Sequence, residues 1–530
     1  MVGKKRSGLI LYGIIGGILF AFNGVLGKEL YASNSTAALW ESEGHIVRTI
    51  IRLLWNTVLG GSVCVLLWWF IDFFKGKVLK NSKPWKFLES RFVFWGCWGI
   101  TFLAWVPCYL SYYPGILSYD SNVQTLMARR IWPWTTHHPP IHTFLWKVCL
   151  SAGYRCGVEP IVIYSLLQMV VLSGCLALVT RYLIYRKCNN FIVVIAFVFY
   201  AFNPVIAIFS FTMTKDVYFA AFLILFSISL LELVRDTKLF LRKPVYCVSF
   251  ILLAVISCLF RNNFIYAYIL LIPVLGILLR KRGKRVLIVV LAPVVLTLLC
   301  TKVLYPLANI EKGDTKESLS VPMQQIALVA ETEELPDYIL EEIHEYIPDT
   351  SAYNPRFADP VKYIFSEEEF NENKMDFFRL WCKLLVKYPM RYLDAFLALN
   401  IPFWYMQTDW IDPYAQREYI ETYIYDGSYT FERNSVFPGL NELYEGIASG
   451  EVLEELPVVS GVFSINTPVW ILLFTALYLL AKKDNKKLCV PVMFLLLWLT
   501  YLAGPVSCLR YIFPIMLAYP VCLWLLIQST

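Results

Sequence analysis

Residues 112–142 read YYPGILSYDSNVQTLMARRIWPWTTHHPPIH and come directly after the apolar run Val93–Leu110. A run of that length crosses a hydrocarbon core about 30 Å thick as a helix. The stretch beyond it cannot stay in lipid, because Asp120, Asn122, Gln124, Arg129, Arg130, His137, His138 and His142 crowd its short length. The boundary therefore reads as the mouth of a membrane helix carrying groups able to do chemistry at the membrane surface. Three of the five histidines of the chain lie here.

Outward from this stretch the same alternation repeats. The chain is 58% hydrophobic and 16% aromatic, with apolar runs of about 16 to 23 residues. Backbone amides in lipid need internal partners, and these runs are too long for barrel strands. The expected fold class is an all-α polytopic membrane protein with about twelve transmembrane helices and an external mixed, mainly helical soluble segment. The spans expected are Leu9–Gly27, Leu53–Phe73, Val93–Ser111, Ile161–Tyr182, Phe191–Phe209, Val217–Val234, Val245–Phe260, Phe264–Leu279 and Val286–Tyr305. Pro468–Ala481, Leu488–Val506 and Phe513–Ile527 complete them.

Loop cations orient the spans. Lys4–Arg6, Lys75–Lys86, Arg181–Lys187, Arg235–Lys243, Arg280–Arg285 and Lys482–Lys487 alternate with the spans so that all fall on one side, cytoplasmic by the positive-inside rule. The chain is then a multi-pass cell-membrane protein with both termini cytoplasmic, and its first span is an uncleaved signal anchor. The net charge of +7 comes from these loops and calls for no nucleic acid. Fourteen cysteines, scattered mostly through the spans, form neither a disulfide framework nor a Cys-x-x-Cys motif.

On this topology the regions are 1–92, two N-terminal helices and a basic loop; 93–305, a membrane module whose first external loop is 112–160; 306–467, an external soluble domain; and 468–530, the C-terminal spans. Pro139–Tyr154 should lie along the interface or dip in and return. Helices are expected at Ser121–Arg130, Glu331–Tyr346, Ser366–Tyr388 and Arg391–Asn400, with Ser366 and Glu369 as a capping box. Neither an internal repeat nor a low-complexity segment is evident.

Asp120 starts a helix after Pro114 and Gly115, so it is an N-cap or first-turn carboxylate that could serve as general base. His138 and His142 flank the first turn opened by Pro139 and Pro140. Their spacing of four is one that binds metal, with Asp120 a conceivable third ligand, but holding a phosphate or shaping the loop with His137 suits them better. Lys215 with Asp216, Arg261 with Asn262, and Arg510 with Tyr511 stand at ends of spans on the same external side. There Lys215, Arg261 and Arg510 could neutralise a phosphate arriving from lipid. Each of these residues could equally cap a helix among headgroups. Gln324 and Gln325, in a segment read as a loop, are amides suited to sugar hydroxyls, and Trp132, Trp134, Trp404, Tyr405 and Trp410 could stack on sugar or flank lipid. No phosphate loop, Gly-x-Ser-x-Gly elbow or His-Glu-x-x-His helix occurs.

An apolar span, an external loop with an early Asp, interfacial helices, further spans and a large external region together resemble the GT-C superfamily of integral-membrane glycosyltransferases. YPGILSYDSNVQ, HHPPIHT, Thr214-Lys215-Asp216, SVPMQQIA, YNPRFADPVK and CLRYIFP resemble a bacterial polytopic branch of domain-of-unknown-function type related to it. The resemblance implies Asp120 as general base; Lys215, Arg261 and Arg510 as the donor-phosphate site; and His137, His138, His142, Asp216, Asn262, Gln324, Gln325 and Tyr511 as substrate-binding or loop-shaping residues. It implies a polyprenyl-phosphate sugar donor, an envelope acceptor and contact with membrane lipid. The first loop departs from the superfamily in lacking an Asp-x-Asp or Glu-x-Asp motif, so no cofactor is implied, although a divalent metal stays possible. The alternatives are a transporter or lipid-linked-saccharide flippase, or a non-catalytic envelope scaffold.

Overall fold

The computed structural model describes residues 2–75, 85–406, 429–449 and 461–528. Among the described residues seven helices are long and apolar enough to cross a membrane: Gly8–Ser33, Glu43–Phe74, Val93–Ser111, Pro160–Tyr185, Lys215–Arg235, Lys284–Leu307 and Leu509–Gln528. The chain is thus an α-helical membrane protein. Asn190–Phe202, Pro244–Phe260, Phe264–Leu279, Thr467–Ala481 and Cys489–Tyr501 are apolar helices of at most 17 residues. Each of the twelve expected spans contains a helix, and seven of these helices qualify as crossings by length and composition. The run expected at Phe191–Phe209 is broken where Asn203, with Pro204 next to it, caps a new short helix by accepting from the amides of Val205 and Ile206.

Helices α1 (Val2–Phe22, continued to Ser33) and α2 (Glu43–Phe74) form a hairpin. Gly13, Gly17, Gly60 and Gly61 permit the close approach, since a side chain on Gly17 would overlap the Thr57 carbonyl. The outer face of α2 carries Ile51, Leu54, Trp55, Val58, Leu66 and Trp69, all exposed, as a helix against lipid requires.

From α3 (Val93–Ser111) the chain turns at Gly115 into a two-residue strand β1 (Ile116–Leu117), then α4 (Tyr119–Ala128), α5 (Pro140–Cys156) and α6 (Pro160–Tyr185). After α7 (Asn190–Phe202), strand β2 (Thr212–Met213) leads into α8 (Lys215–Arg235). The strands pair in parallel, Ile116 with Thr212 and Leu117 with Met213, fully buried in the main core. Their register brings the starts of α4 and α8 side by side. The bundle continues with α9 (Pro244–Phe260), α10 (Phe264–Leu279) and α11 (Lys284–Leu307), and closes with α17 (Thr467–Ala481), α18 (Cys489–Tyr501) and α19 (Leu509–Gln528). At the end of the bundle away from β1 and β2, Lys75, Arg186, Arg235, Lys482, Lys486 and Lys487 gather with Asp72, Glu232, Asp484 and the carbonyl of Gln528. Of the basic loops, residues 76–84 lie outside the described residues.

Between α11 and α17 a second core gathers α12 (Ser320–Thr332), α13 (Asp337–Tyr346), α14 (Lys374–Lys387) and α15 (Pro389–Leu399) around Met323, Ile343, Phe377 and Tyr392. Helix α16 (Pro438–Ser449) lies against α3 instead. The expected boundaries need correction here. Ser320–Thr332 is helix rather than loop, with Pro322 in its first turn, where a missing amide proton costs nothing. The expected helix Glu331–Tyr346 is interrupted before Asp337 by Pro336, and Ser366–Tyr388 is interrupted at Asn373. Of the expected capping box only one half forms: the Ser366 hydroxyl accepts from the Glu369 amide, whereas the Ser366 amide donates to the Tyr346 carbonyl and the Glu369 carboxylate accepts from Asn373.

Candidate functional site

Three helix starts meet at the β1–β2 end. Asp120 lies in the first turn of α4, Lys215 opens α8, and Arg510 lies in the first turn of α19. Ser118 and Ser121 fix α4 by donating to the carbonyl of Met213, each at 2.7 Å. Lys215 Nζ then lies 2.8 Å and Arg510 Nη1 2.9 Å from Asp120 Oδ2. His138 joins them, its Nδ1 3.4 Å from Lys215 Nζ, while its Nε2 is buried without a hydrogen-bond partner. Two cations against one carboxylate leave one positive charge in excess, at a point where helix starts add further positive potential.

Burial alone would push the Asp120 carboxyl up, but Arg510 and then Lys215 overcome it and hold the group well below the usual carboxylate range. Burial, reinforced by Lys215, pushes the His138 imidazole far below its ordinary value, so the ring is neutral. Burial likewise pushes His142 down to about 3.

Arg261 and Asp216 form a second, separate ion pair, with Asp216 fully buried and the guanidinium beside the stacked rings of Tyr511 and Tyr501, 4.3 and 4.7 Å from their centroids. This corrects the expectation that Arg261 offers its charge to a phosphate: Asp216 already neutralises it, and both tyrosines cover it. Asn262 donates to the Thr136 carbonyl at 3.0 Å and so ties the loop after α9 to the histidine loop. His137 is on the rim, 3.8 Å from Glu317, which also meets Lys362 at 3.0 Å.

His142 belongs to a layer behind the ion pairs. Its Nδ1 is 2.9 Å from Gln124 Oε1 and its Nε2 2.7 Å from the Tyr164 hydroxyl. That hydroxyl donates to Gln168, whose amide donates to the carbonyls of Phe209, Ser210 and Thr212. With both ring nitrogens engaged, His142 does not pair with His138 as a metal ligand. Among the described residues no group of three potential ligands occurs. Tyr164 and Gln168 escaped the reading of the sequence, although a glutamine inside a long apolar span is itself a signal.

Gln324 and Gln325 are not part of this cluster. Gln324 donates to the carbonyls of Asn354 and Phe357, and Gln325 bridges Tyr392 and Trp381 within the second core. Burial and these partners replace the sugar-facing role expected of them. Trp404 and Tyr405 pack beside the N-terminal hairpin, where the Trp404 carbonyl accepts from Asn23 and Trp470. Trp410 lies outside the described residues.

The chain belongs to DUF6020, a family of unknown function, whose model matches residues 132–530. Lys215, Arg261, Arg510, His137, His138 and His142 lie inside that match, whereas Asp120 and the N-terminal hairpin precede it. No curated protein and no solved structure matches the chain.

Proposed function

We propose that this DUF6020 member is a membrane glycosyltransferase that moves a sugar from a polyprenyl-phosphate donor to an envelope acceptor. The observation that carries the reading is the Asp120 carboxylate shared by Lys215 and Arg510 where three helices start. In the proposed reaction an acceptor hydroxyl oxygen attacks the anomeric carbon. The bond from that carbon to the phosphate oxygen breaks, the lipid phosphate leaves with the electron pair, and the hydroxyl proton passes to Asp120. A single displacement of this kind inverts the anomeric centre.

The resting carboxylate is a weak base because two cations hold it ionised. A phosphate arriving at Lys215 and Arg510 divides their charge between two anions, and the proton affinity of Asp120 rises as it does. Donor binding thereby readies the base. In this reading the twelve apolar helices cross the membrane, the basic loops and both termini are cytoplasmic, and the site faces outward.

The test is transfer of labelled sugar from a panel of polyprenyl-phosphate sugars to envelope acceptors, with wild type and Asp120→Asn compared in liposomes. We expect the variant to lose at least about 100-fold in rate, as removal of a general base does. Equal transfer would reduce Asp120 to a structural pin, a role its saturated ion pairing also suits.

A further inference from the structure

A cavity of about 770 Å³ lies behind the histidine loop, between residues 130–134, α5 and the far end of α11. Arg130 and Lys147 line it together with Trp132, Trp134, Phe144 and Tyr305. Neither cation forms an ion pair among the described residues, unlike Lys215, Arg261 and Arg510. Lys147 instead lies 5.7 Å from the Trp134 ring, a ring pinned by donation of its indole proton to the Met127 carbonyl at 2.6 Å. Exposed Ile131, Trp132, Phe144 and Leu304 border the opening, so it faces the surroundings with apolar and aromatic groups. Helix α11 widens into a π-helical turn at Cys300–Leu304 where it forms the wall, a distortion frequent at functional sites.

We infer that this cavity binds a lipid phosphate carried on a polyprenyl chain, with Arg130 and Lys147 on the phosphate and the aromatic and aliphatic wall on the first part of the chain. Unpaired cations beside tryptophans and an apolar floor suit an anion that arrives attached to hydrocarbon. Choosing the polyprenyl carrier rests on the function proposed above and on continuity with the candidate site. Pro140 lines the cavity and His138 precedes it by two residues; Leu259 lines it and Arg261 comes two residues later. Asn262, next to Arg261, donates to the Thr136 carbonyl of the histidine loop. The cavity is thus a lateral port from which the donor phosphate passes to Lys215 and Arg510.

The experiment is native mass spectrometry of the full chain released from nanodiscs, scoring retention of polyprenyl phosphate, polyprenol, phosphatidylglycerol and inorganic phosphate. It compares wild type with Arg130→Gln/Lys147→Gln. Wild type should retain polyprenyl phosphate at least about tenfold better than the other three ligands, and the double variant should lose that preference. Thermal stability of the double variant should match wild type, because both cations lack ion pairs to lose. Retention of polyprenol equal to that of its phosphate, equal retention of phosphatidylglycerol, or a double variant that binds like wild type would each overturn the port. Sugar transfer that persists in a double variant without binding preference would sink the port and leave the glycosyltransferase reading standing. Binding lost as expected, with no transfer by wild type from any donor, would do the reverse.

Discussion

Asp120 is held by two cations at once, so the charge balance of each of the three residues depends on the others. Removing one member of a buried pair leaves its partner's charge uncompensated, which costs about 3–5 kcal/mol. Asp120→Asn, which leaves Lys215 and Arg510 facing each other, should therefore lower stability in detergent by roughly 3 kcal/mol, while adding Lys215→Met to it should recover part of that loss. A double-mutant cycle of thermal unfolding measures the coupling, and strict additivity would show that the two residues do not interact. The buried histidines make a second prediction. In the unfolded chain His142 protonates near its ordinary value of about 6.5, but in the folded chain burial delays this to about 3. The unfolded state therefore binds more protons between those values, so acidification destabilises the fold by about 1.4 kcal/mol per pH unit for such a group. His138, shifted the same way, adds to this slope, whereas Asp120 contributes only below the ordinary carboxylate value of about 3.9. Melting temperature should fall steadily from pH 6.5 to 4.5, and His142→Gln should have about half the wild-type slope.

The site is assembled by a pair of strands of two residues each. Residues 116–120, Ile-Leu-Ser-Tyr-Asp, and residues 212–216, Thr-Met-Thr-Lys-Asp, form the same corner twice: a buried strand pair, a Ser or Thr at the helix cap, then an Asp in the first turn. Paired in parallel, the two corners place Asp120 beside Lys215. The sequence displayed the residues but not the pairing, because two-residue strands carry no periodicity and a repeat of five positions with one identity passes unnoticed. The convergence of Asp120, Lys215 and Arg510 was legible from polar residues at the ends of apolar runs. The neutralisation of Arg261 by Asp216 was not, since a lone cation looks the same whether paired or open. The long apolar helices were legible for the reason that backbone in lipid has few alternatives, while the helix break at Asn203 depended on local capping. Gly115 controls the first corner. Its φ is +151°, and a Cβ there would lie 2.7 Å from Ser165 Oγ and 2.8 Å from Ile161 Cγ1. Gly115→Ala should destabilise the chain by about 2 kcal/mol or more and displace Asp120 without touching it. Transfer activity should drop with the melting temperature; unaltered activity and stability would show that the corner does not set the site.

Across the whole molecule, the second core reaches the bundle through the same end that holds the site. The carbonyl of Pro505 accepts from the amide of Ala358, Thr136 donates its amide proton to the Glu311 carbonyl, and the hydroxyls of Tyr119 and Tyr363 lie 3.0 Å apart. The loop joining α1 to α2 is latched to it as well. Asp394, buried in α15, accepts from the Thr36 amide at 3.1 Å, the Thr36 hydroxyl at 2.6 Å and the Ser35 hydroxyl at 2.9 Å, and Arg356 donates to the Tyr31 carbonyl. The N-terminal hairpin is therefore bound at one end by Asp394 and along its length by close glycine packing and α17. Asp394→Ala removes the latch and leaves the Thr36 amide and hydroxyl to find water, at a cost of about 3 kcal/mol if that cost reaches global stability. Because the hairpin keeps its contacts with α17, the cost should instead appear locally, as opening of residues 31–40 against α15. Hydrogen exchange should accelerate at least about tenfold in the 31–40 peptides and little in peptides covering 116–125, with the Asp120–Lys215–Arg510 cluster retained. Equal acceleration in both places would mean that the latch supports the site itself, joining the hairpin, the second core and the three helix starts into one cooperative unit.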